Sequence, residues 1–93
     1  MTVGTLSVKL MIREARSLKD KRRILRSLKD NIRNRHNVSV AEVDSLDSRQ
    51  QAMLGVAMVA NDAQYVDGAL AKIVNYIRAF RPVQLVDYEV EIF

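Results

Sequence analysis

Residues 3–35 read VGTLSVKLMIREARSLKDKRRILRSLKDNIRNR, and they join a strand pattern to a helix pattern. From Val3 to Ile12 apolar and polar side chains alternate, as they do in a strand with one buried face. Ser17 then precedes a helical pattern, and Asp20 three residues later is close to a capping box. The helix is expected to end near Arg35–Asn37. Its buried stripe is formed by Leu18, Leu25, Leu28 and Ile32.

The remaining residues predict three more strands and a second helix. Val38–Val43 is short and β-branched, and Ala52–Ala60 is apolar on both alternating faces, as in a central strand. Asp62 can cap a second helix, which Pro82 stops. Val83–Phe93 alternates again and predicts the last strand.

The order β-α-β-β-α-β predicts an α+β, ferredoxin-like fold, the split βαβ arrangement, as one domain over residues 1–93. In this fold two helices cover one face of a four-stranded antiparallel sheet. The first and third strands are central neighbours, and the fourth lies beside the first. Lys9 is then expected to pair with Glu89 or Glu91, and the polar segment Asp44–Gln50 connects the second and third strands.

Composition narrows the class of protein. A chain of 93 residues with 48% apolar residues predicts one packed core rather than disorder. The chain contains no cysteine, which excludes disulfides and thiolate metal sites and fits a reducing compartment. It has no signal-peptide pattern, and no apolar stretch approaches the roughly 20 residues that cross a bilayer. We expect a soluble cytoplasmic protein with no membrane partner.

Positive charge is concentrated on the first helix and its approach. Ten of the fifteen Lys and Arg residues lie between Arg13 and Arg35 with only three acids, a net charge of +7, whereas the other residues carry −3. Six of them occupy an arc of about 40° to 160° from Leu25 on a helical wheel. Stacked like charges cost stability, and Arg suits bidentate contact with phosphate. We call these six the basic stripe and predict that they bind nucleic acid: Lys19, Arg22, Arg23, Arg26, Lys29 and Arg33.

Two other interpretations of these charges remain open. The stripe can be a solvated helix face that neighbouring acids partly neutralise. It can also serve self-association, because Met53, Ala57 and Val59 leave the open face of the sheet apolar. A dimer through that face or through a strand edge would cover it, and the acidic strand Asp87–Glu91 could meet the basic helix of a second copy.

No pattern in the chain indicates catalysis. His36 is the only histidine and lies where the first helix ends, so a capping or surface role is favoured. Asp44 and Asp47 are typical turn residues. The first and third strands carry no aromatic residue, so RNA bases are not expected to stack on the sheet as they do on RNA recognition motifs. We expect no enzymatic activity, no cofactor and no bound metal.

Residues 15–30, ARSLKDKRRILRSLKD, and 34–44, NRHNVSVAEVD, carry a family resemblance, which Leu54–Ala57 and Asn61–Asp62 extend. Through them nearly the whole chain resembles the YlxP-like family of small bacterial proteins of uncharacterised function. Arg49 stands where that family often carries Trp. The resemblance implies a ferredoxin-like fold. Members are often encoded beside translation and ribosome-maturation factors, which implies a connection to RNA or the ribosome; the family has no established catalytic residues.

The sequence therefore favours a non-enzymatic binding module that contacts RNA, with ribosomal RNA or the ribosome as partner, through the basic helix at residues 17–35. The alternative is a homo-oligomeric structural or interaction protein, a dimer, that has no nucleic-acid partner.

Overall fold

The computed structural model of the protein spans Met1–Phe93 and contains the six elements in the predicted order. Their bounds agree with the sequence patterns to within a few residues. The elements are β1 (Thr2–Met11), α1 (Leu18–Arg35), β2 (Ser39–Asp44), β3 (Gln51–Ala60), α2 (Ala63–Ala79) and β4 (Gln84–Ile92).

The four strands form one antiparallel sheet in the order β2-β3-β1-β4, and the ferredoxin-like prediction is confirmed. β1 lies between β3 and β4, as expected. Lys9 lies opposite Asp87, and Glu89 lies opposite Ser7, so the predicted pairing of Lys9 with Glu89 or Glu91 is wrong. Registers that place Lys9 opposite Asp87, Glu89 or Glu91 differ by two residues and keep the same side chains on each face, so the alternating pattern does not choose among them.

Both helices pack on the same face of the sheet, and the core between the layers contains twenty buried apolar residues. α1 begins as predicted, because the Ser17 hydroxyl accepts a hydrogen bond of 3.1 Å from the Asp20 backbone N–H. The Asp20 carboxylate in turn accepts from the Arg16 N–H at 3.1 Å, one residue earlier than in a standard capping box. Asp62 caps α2 by accepting from the Gln64 N–H. Neither helix has the length and apolar character that a membrane span requires.

Two glycines are in opposite packing environments. A Cβ atom added at Gly4 on β1 would collide with Val66 Cγ1 and lie 3.0 Å from Leu70 Cδ1, so α2 approaches the sheet closely only because Gly4 has no side chain. A Cβ atom added at Gly68, in the middle of α2, would meet nothing within 4 Å. Packing therefore explains Gly4 and leaves Gly68 unexplained.

The same Gly→Ala change is expected to have opposite effects at these positions. Gly4→Ala overpacks the interface between α2 and β1 and should lower the free energy of unfolding by about 1–3 kcal/mol. Gly68→Ala should raise it by about 0.5–1 kcal/mol, because alanine loses less backbone entropy in a helix. Urea denaturation of both variants measures the two shifts, and a destabilised Gly68→Ala protein would contradict the open surroundings of that residue.

Candidate nucleic-acid interface

Contacts on its two sides fix the orientation of α1. On one side the Asn31 amide donates to the Tyr76 hydroxyl on α2 at 2.8 Å, and the Arg35 guanidinium lies 4.4 Å from the centre of the Tyr76 ring. On the other side Arg33 Nη2 donates to the Val40 carbonyl on β2 at 2.8 Å. Since β2 is an edge strand, the side of α1 that carries Arg33 borders the free edge of the sheet.

The basic stripe occupies this outer side, and five of its six residues are exposed, while Lys29 is half-buried. Only two members have a carboxylate within 4.0 Å: Arg23 lies 3.8 Å from Asp20, and Arg33 lies 3.3 Å from Asp30. Both pairs are solvent-exposed, and such pairs contribute little to stability. The four members without a carboxylate partner are Lys19, Arg22, Arg26 and Lys29.

Partial neutralisation by acids is therefore limited to two positions. Asp20 also accepts from the Arg16 N–H, so part of its hydrogen-bonding capacity serves the start of the helix. Arg33 is partly structural, because its guanidinium is bound to both Asp30 and the Val40 carbonyl. The stripe thus consists of one anchored arginine, one weakly paired arginine and four unpaired bases.

Lys21 belongs to the same run of bases but has a different role, which the sequence interpretation missed. Its side chain is fully buried, and Nζ donates to the carbonyls of Ser45 at 2.9 Å and Gln51 at 3.1 Å. Nζ also lies 2.8 Å from Glu42 Oε2, which receives no well-directed hydrogen bond and is therefore held by charge. The signal was available: Lys21 lies about −40° from Leu25 on the helical wheel, inside the apolar stripe rather than on the basic arc.

The 45–50 connection is held against the start of α1 by further hydrogen bonds. The Asp44 carboxylate accepts from the Ser45 N–H at 2.7 Å, which is the predicted turn role. Gln50 Nε2 donates to the Arg13 carbonyl at 3.0 Å, and Arg49 Nη1 donates to the Arg16 carbonyl at 3.4 Å. Exposed Arg16 and Arg49 therefore adjoin, and they extend the positive surface beyond the first turn of the stripe.

His36 ends α1 at the opposite end of the stripe. Its backbone N–H donates to the Ile32 carbonyl at 3.0 Å, so its capping role is that of its main chain. Partial burial of the imidazole, followed by the charges of Lys72 and Arg35, lowers the pKa of His36 below its usual 6.5. The ring is therefore neutral at pH 7, and it adds no charge to the surface.

Comparison with known proteins agrees with this architecture. Residues 3–90 match the sequence pattern of a protein family described as "Protein of unknown function (DUF503)". The chain belongs to the DUF503 family. It is 27% identical over 82 residues to the uncharacterised protein YlxP of Bacillus subtilis (strain 168). The aligned region covers 88% of this chain and 89% of YlxP. The resemblance noted in the sequence is thereby confirmed.

Solved structures of similar shape support the fold alone. The de novo designed protein Foldit4 aligns with a TM-score of 0.57 at 14% identity, covering 100% of this chain and 97% of the design. A mutant of SnoaB, a cofactor-independent oxygenase from Streptomyces nogalater, aligns with a TM-score of 0.54 at 13% identity, covering 99% of this chain and 90% of SnoaB. Identities this low carry no function from those proteins to this DUF503 chain.

Removing the buried ammonium should destabilise the fold strongly. Lys21→Met leaves the Glu42 carboxylate, whose side chain is 11% exposed, without its counter-charge, and it strips two backbone carbonyls of a donor. We expect the free energy of unfolding to fall by about 3–5 kcal/mol. Lys19→Met is the matched control on the exposed face and should change it by less than about 0.5 kcal/mol. Equal losses in chemical denaturation would contradict a structural role for Lys21.

Proposed function

We propose that this protein is a non-enzymatic cytoplasmic module that binds RNA phosphates through the basic stripe, with ribosomal RNA or the ribosome as partner. The observation that carries the proposal is the set of four unpaired bases on one side of α1: Lys19, Arg22, Arg26 and Lys29. Their charges face solvent along the free edge of the sheet, where a polyanion has unobstructed access.

The dimensions of the stripe suit a nucleic-acid backbone. From Lys19 to Arg33 the helix rises about 20 Å, enough to follow several consecutive phosphates. Arg23 can exchange its distant, exposed contact with Asp20 for a phosphate at little cost. Arg16 and Arg49 offer further contacts at the N-terminal end. The bound face is thus longer than the six residues that define the stripe.

The chemistry of the stripe favours recognition of the backbone over recognition of bases. It contains no aromatic side chain on which a base could stack, and the central strands β1 and β3 contain none either. Lys and Arg contacts to phosphate orient a protein on RNA without reading its sequence. Selectivity would then come from the shape of a folded RNA, as it does for many proteins that bind RNA helices. The genomic neighbourhood implied by the family resemblance supports ribosomal RNA as the bound RNA.

Charge reversal on the stripe should abolish RNA retention while the fold survives. The triple variant Arg22→Glu, Arg26→Glu and Lys29→Glu leaves the Arg33 bond to β2 intact. For the wild type, log affinity should fall with log salt at a slope of roughly −3 to −4, since about four to five phosphates are neutralised. Filter binding with ribosomal RNA at graded salt measures both effects, and circular dichroism monitors the fold.

The matched control reverses three exposed bases elsewhere, Lys9, Arg78 and Arg81, and so changes the net charge equally. It should retain most of the RNA binding and most of the salt dependence. Equal losses in the two triple variants, or a wild-type slope near zero, would reduce the stripe to a solvated helix face.

Self-association is a second candidate, and the open face of the sheet favours it. Over β2 and β3 this face is apolar, with a depression of about 380 Å³ whose lining includes Ala41, Val43, Gly55 and Ala57. Val59 beside it is 58% exposed. Over β4 the same face is acidic, with Asp87, Glu89 and Glu91 opposite Lys9, Ser7 and Thr5. One sheet face thus carries an apolar half and an acidic half.

These halves are complementary to a second copy of the chain. A two-fold axis parallel to the strands, passing between β2 and β3, stacks the apolar half of each copy on that of the other. The acidic half of each sheet then extends past the β2 edge of its partner, on the side of the molecule that carries the basic stripe. Burial of the apolar half, together with attraction between these oppositely charged regions, is why a second copy is the proposed occupant.

A single substitution on the open sheet face distinguishes self-association from RNA binding by the stripe. Ala57→Arg places a charge in the exposed apolar half and should convert a dimer to monomers, whereas Ala71→Arg on the exposed side of α2 should not. Light scattering over a range of concentrations measures the mass. The triple Glu variant of the stripe should also weaken the dimer, because it repels the acidic strand of the partner. A wild-type protein that remains monomeric at every concentration rules out this candidate.

A further inference from the structure

A second group of bases lies on the side of α1 that faces α2, away from the basic stripe. Arg35 and His36 at the end of α1 and Lys72 on α2 line one cleft between the helices, together with Tyr65 and Gly68. The cleft measures about 330 Å³, within the lower range of pockets that hold small molecules. Its lining contains no acidic residue.

Three basic groups therefore converge without a counter-charge. None of Arg35, His36 and Lys72 has a carboxylate within 4.0 Å. The Arg35 guanidinium is held over the Tyr76 ring, so its position is fixed while its N–H donors remain available. Partial burial, followed by the charges of Lys72 and Arg35, lowers the pKa of His36. An anion in the cleft would offset the two fixed positive charges of Arg35 and Lys72 and favour the protonated form of His36.

Gly68 is an independent observation at the same place. A glycine inside a helix lowers its stability relative to alanine, and at Gly4 close packing explains the residue. At Gly68 the space beyond the missing Cβ is empty, so no packing contact requires it. A glycine does, however, keep this side of the cleft open. A bound ligand is a reason for Gly68 that the protein packing does not supply.

Tyr65 adds a flat aromatic surface at the cleft. It lies in the first turn of α2, is 61% exposed, and makes no hydrogen bond or ring contact within the protein. A planar nucleobase can stack on such a ring while the phosphate of the same nucleotide lies among the basic side chains nearby. The combination of a cationic cleft and an exposed ring suits a nucleotide better than a simple anion.

We propose that this cleft binds the phosphate group of a nucleotide through Arg35, His36 and Lys72, with the base stacked on Tyr65. The phosphate can belong to a free nucleotide or to the phosphorylated end of an RNA, since both present the same chemistry. The site does not use the basic stripe, so it can exist whether or not the stripe binds RNA.

Binding should depend on pH with a defined sign. Lys72 from α2 and Arg35 from α1 are the charged groups that face His36. A bound anion favours the imidazolium form, so it raises the pKa of His36 from its lowered value. By linkage the affinity for the anion then rises as the pH falls through the pKa of His36. Sulfate is a suitable probe, because its own charge does not change in this range.

The test uses the stripe variant Arg22→Glu, Arg26→Glu and Lys29→Glu as background, so that only the cleft is measured. NMR of the His36 ring is followed during titration with sulfate, adenosine monophosphate and adenosine. We expect sulfate and the monophosphate to raise the pKa of His36, the monophosphate to bind more tightly than sulfate, and adenosine to leave the pKa unchanged. A short RNA with a 5′-phosphate, compared with the same RNA lacking it, distinguishes an RNA end from a free nucleotide.

Matched variants assign the contacts. Lys72→Glu should weaken binding of the monophosphate at least about tenfold, whereas Arg81→Glu, which changes the net charge equally, should not. Gly68→Leu should block the cleft while the helix remains intact, and Gly68→Ala should weaken binding to a smaller extent, because its methyl group enters the same space. Tyr65→Ala should bring the affinity for the monophosphate down to that for sulfate.

Three results would overturn the proposal. They are a pKa of His36 that neither anion moves, equal losses in Lys72→Glu and Arg81→Glu, and unimpaired binding in a folded Gly68→Leu protein. Because the background lacks the stripe bases, failure here is distinguishable from failure of the RNA hypothesis, which is judged on the wild-type stripe.

Discussion

The buried ammonium of Lys21 determines how α1 lies on the sheet. A charge with no exposed surface must be surrounded by acceptors, and Lys21 finds them in Glu42 on β2 and in the carbonyls of Ser45 and Gln51 at the two ends of the next connection. Turning α1 about its axis would pull Nζ away from all of them. The rotation that buries Lys21 is the rotation that presents the basic stripe along the β2 edge, so an interior contact orients the exterior one.

The local patterns were sufficient to predict the elements, their order and the caps at Ser17 and Asp62, because each depends on residues a few positions apart. They were insufficient for the register of β4, since Lys9 alternates equally well against Asp87 or Glu89. Lys21 was missed for another reason. Counting bases along the chain treats every lysine as exposed, whereas position on the helical wheel separates the one buried charge from its exposed neighbours. The hydrogen bond of Arg33 to the Val40 carbonyl, made in addition to its contact with Asp30, depends on β2, which the helix pattern does not include.

The basic stripe and the group formed by Arg35, His36 and Lys72 differ in shape, and shape decides which ligand each can hold. The stripe is a row along a convex helix, so its charges follow one another and match an extended chain of phosphates. Arg35, His36 and Lys72 instead converge on a cleft between two helices, where several donors can surround one phosphate. Because the pKa of His36 is lowered, the cleft gains its third charge only when an anion is present or the pH is low. On these two proposals, one helix would contact an RNA backbone on one side and a single phosphate on the other.

The two proposed uses of the stripe, RNA binding and self-association, would compete, and their contributions to the free energy of binding are unequal. In the proposed dimer, each exposed carboxylate of β4 that meets a base contributes about 0–1 kcal/mol and is further screened by salt. A polyphosphate gains the additional entropy of released counterions for every base it neutralises, and this term grows with the number of contacts. The apolar half of the sheet face contributes to the dimer alone, but it does not involve the stripe. If both proposals hold, RNA should weaken the attraction between the stripe and the partner's acidic strand without disturbing the apolar contact, so RNA binding and pairing of the sheets would be separable.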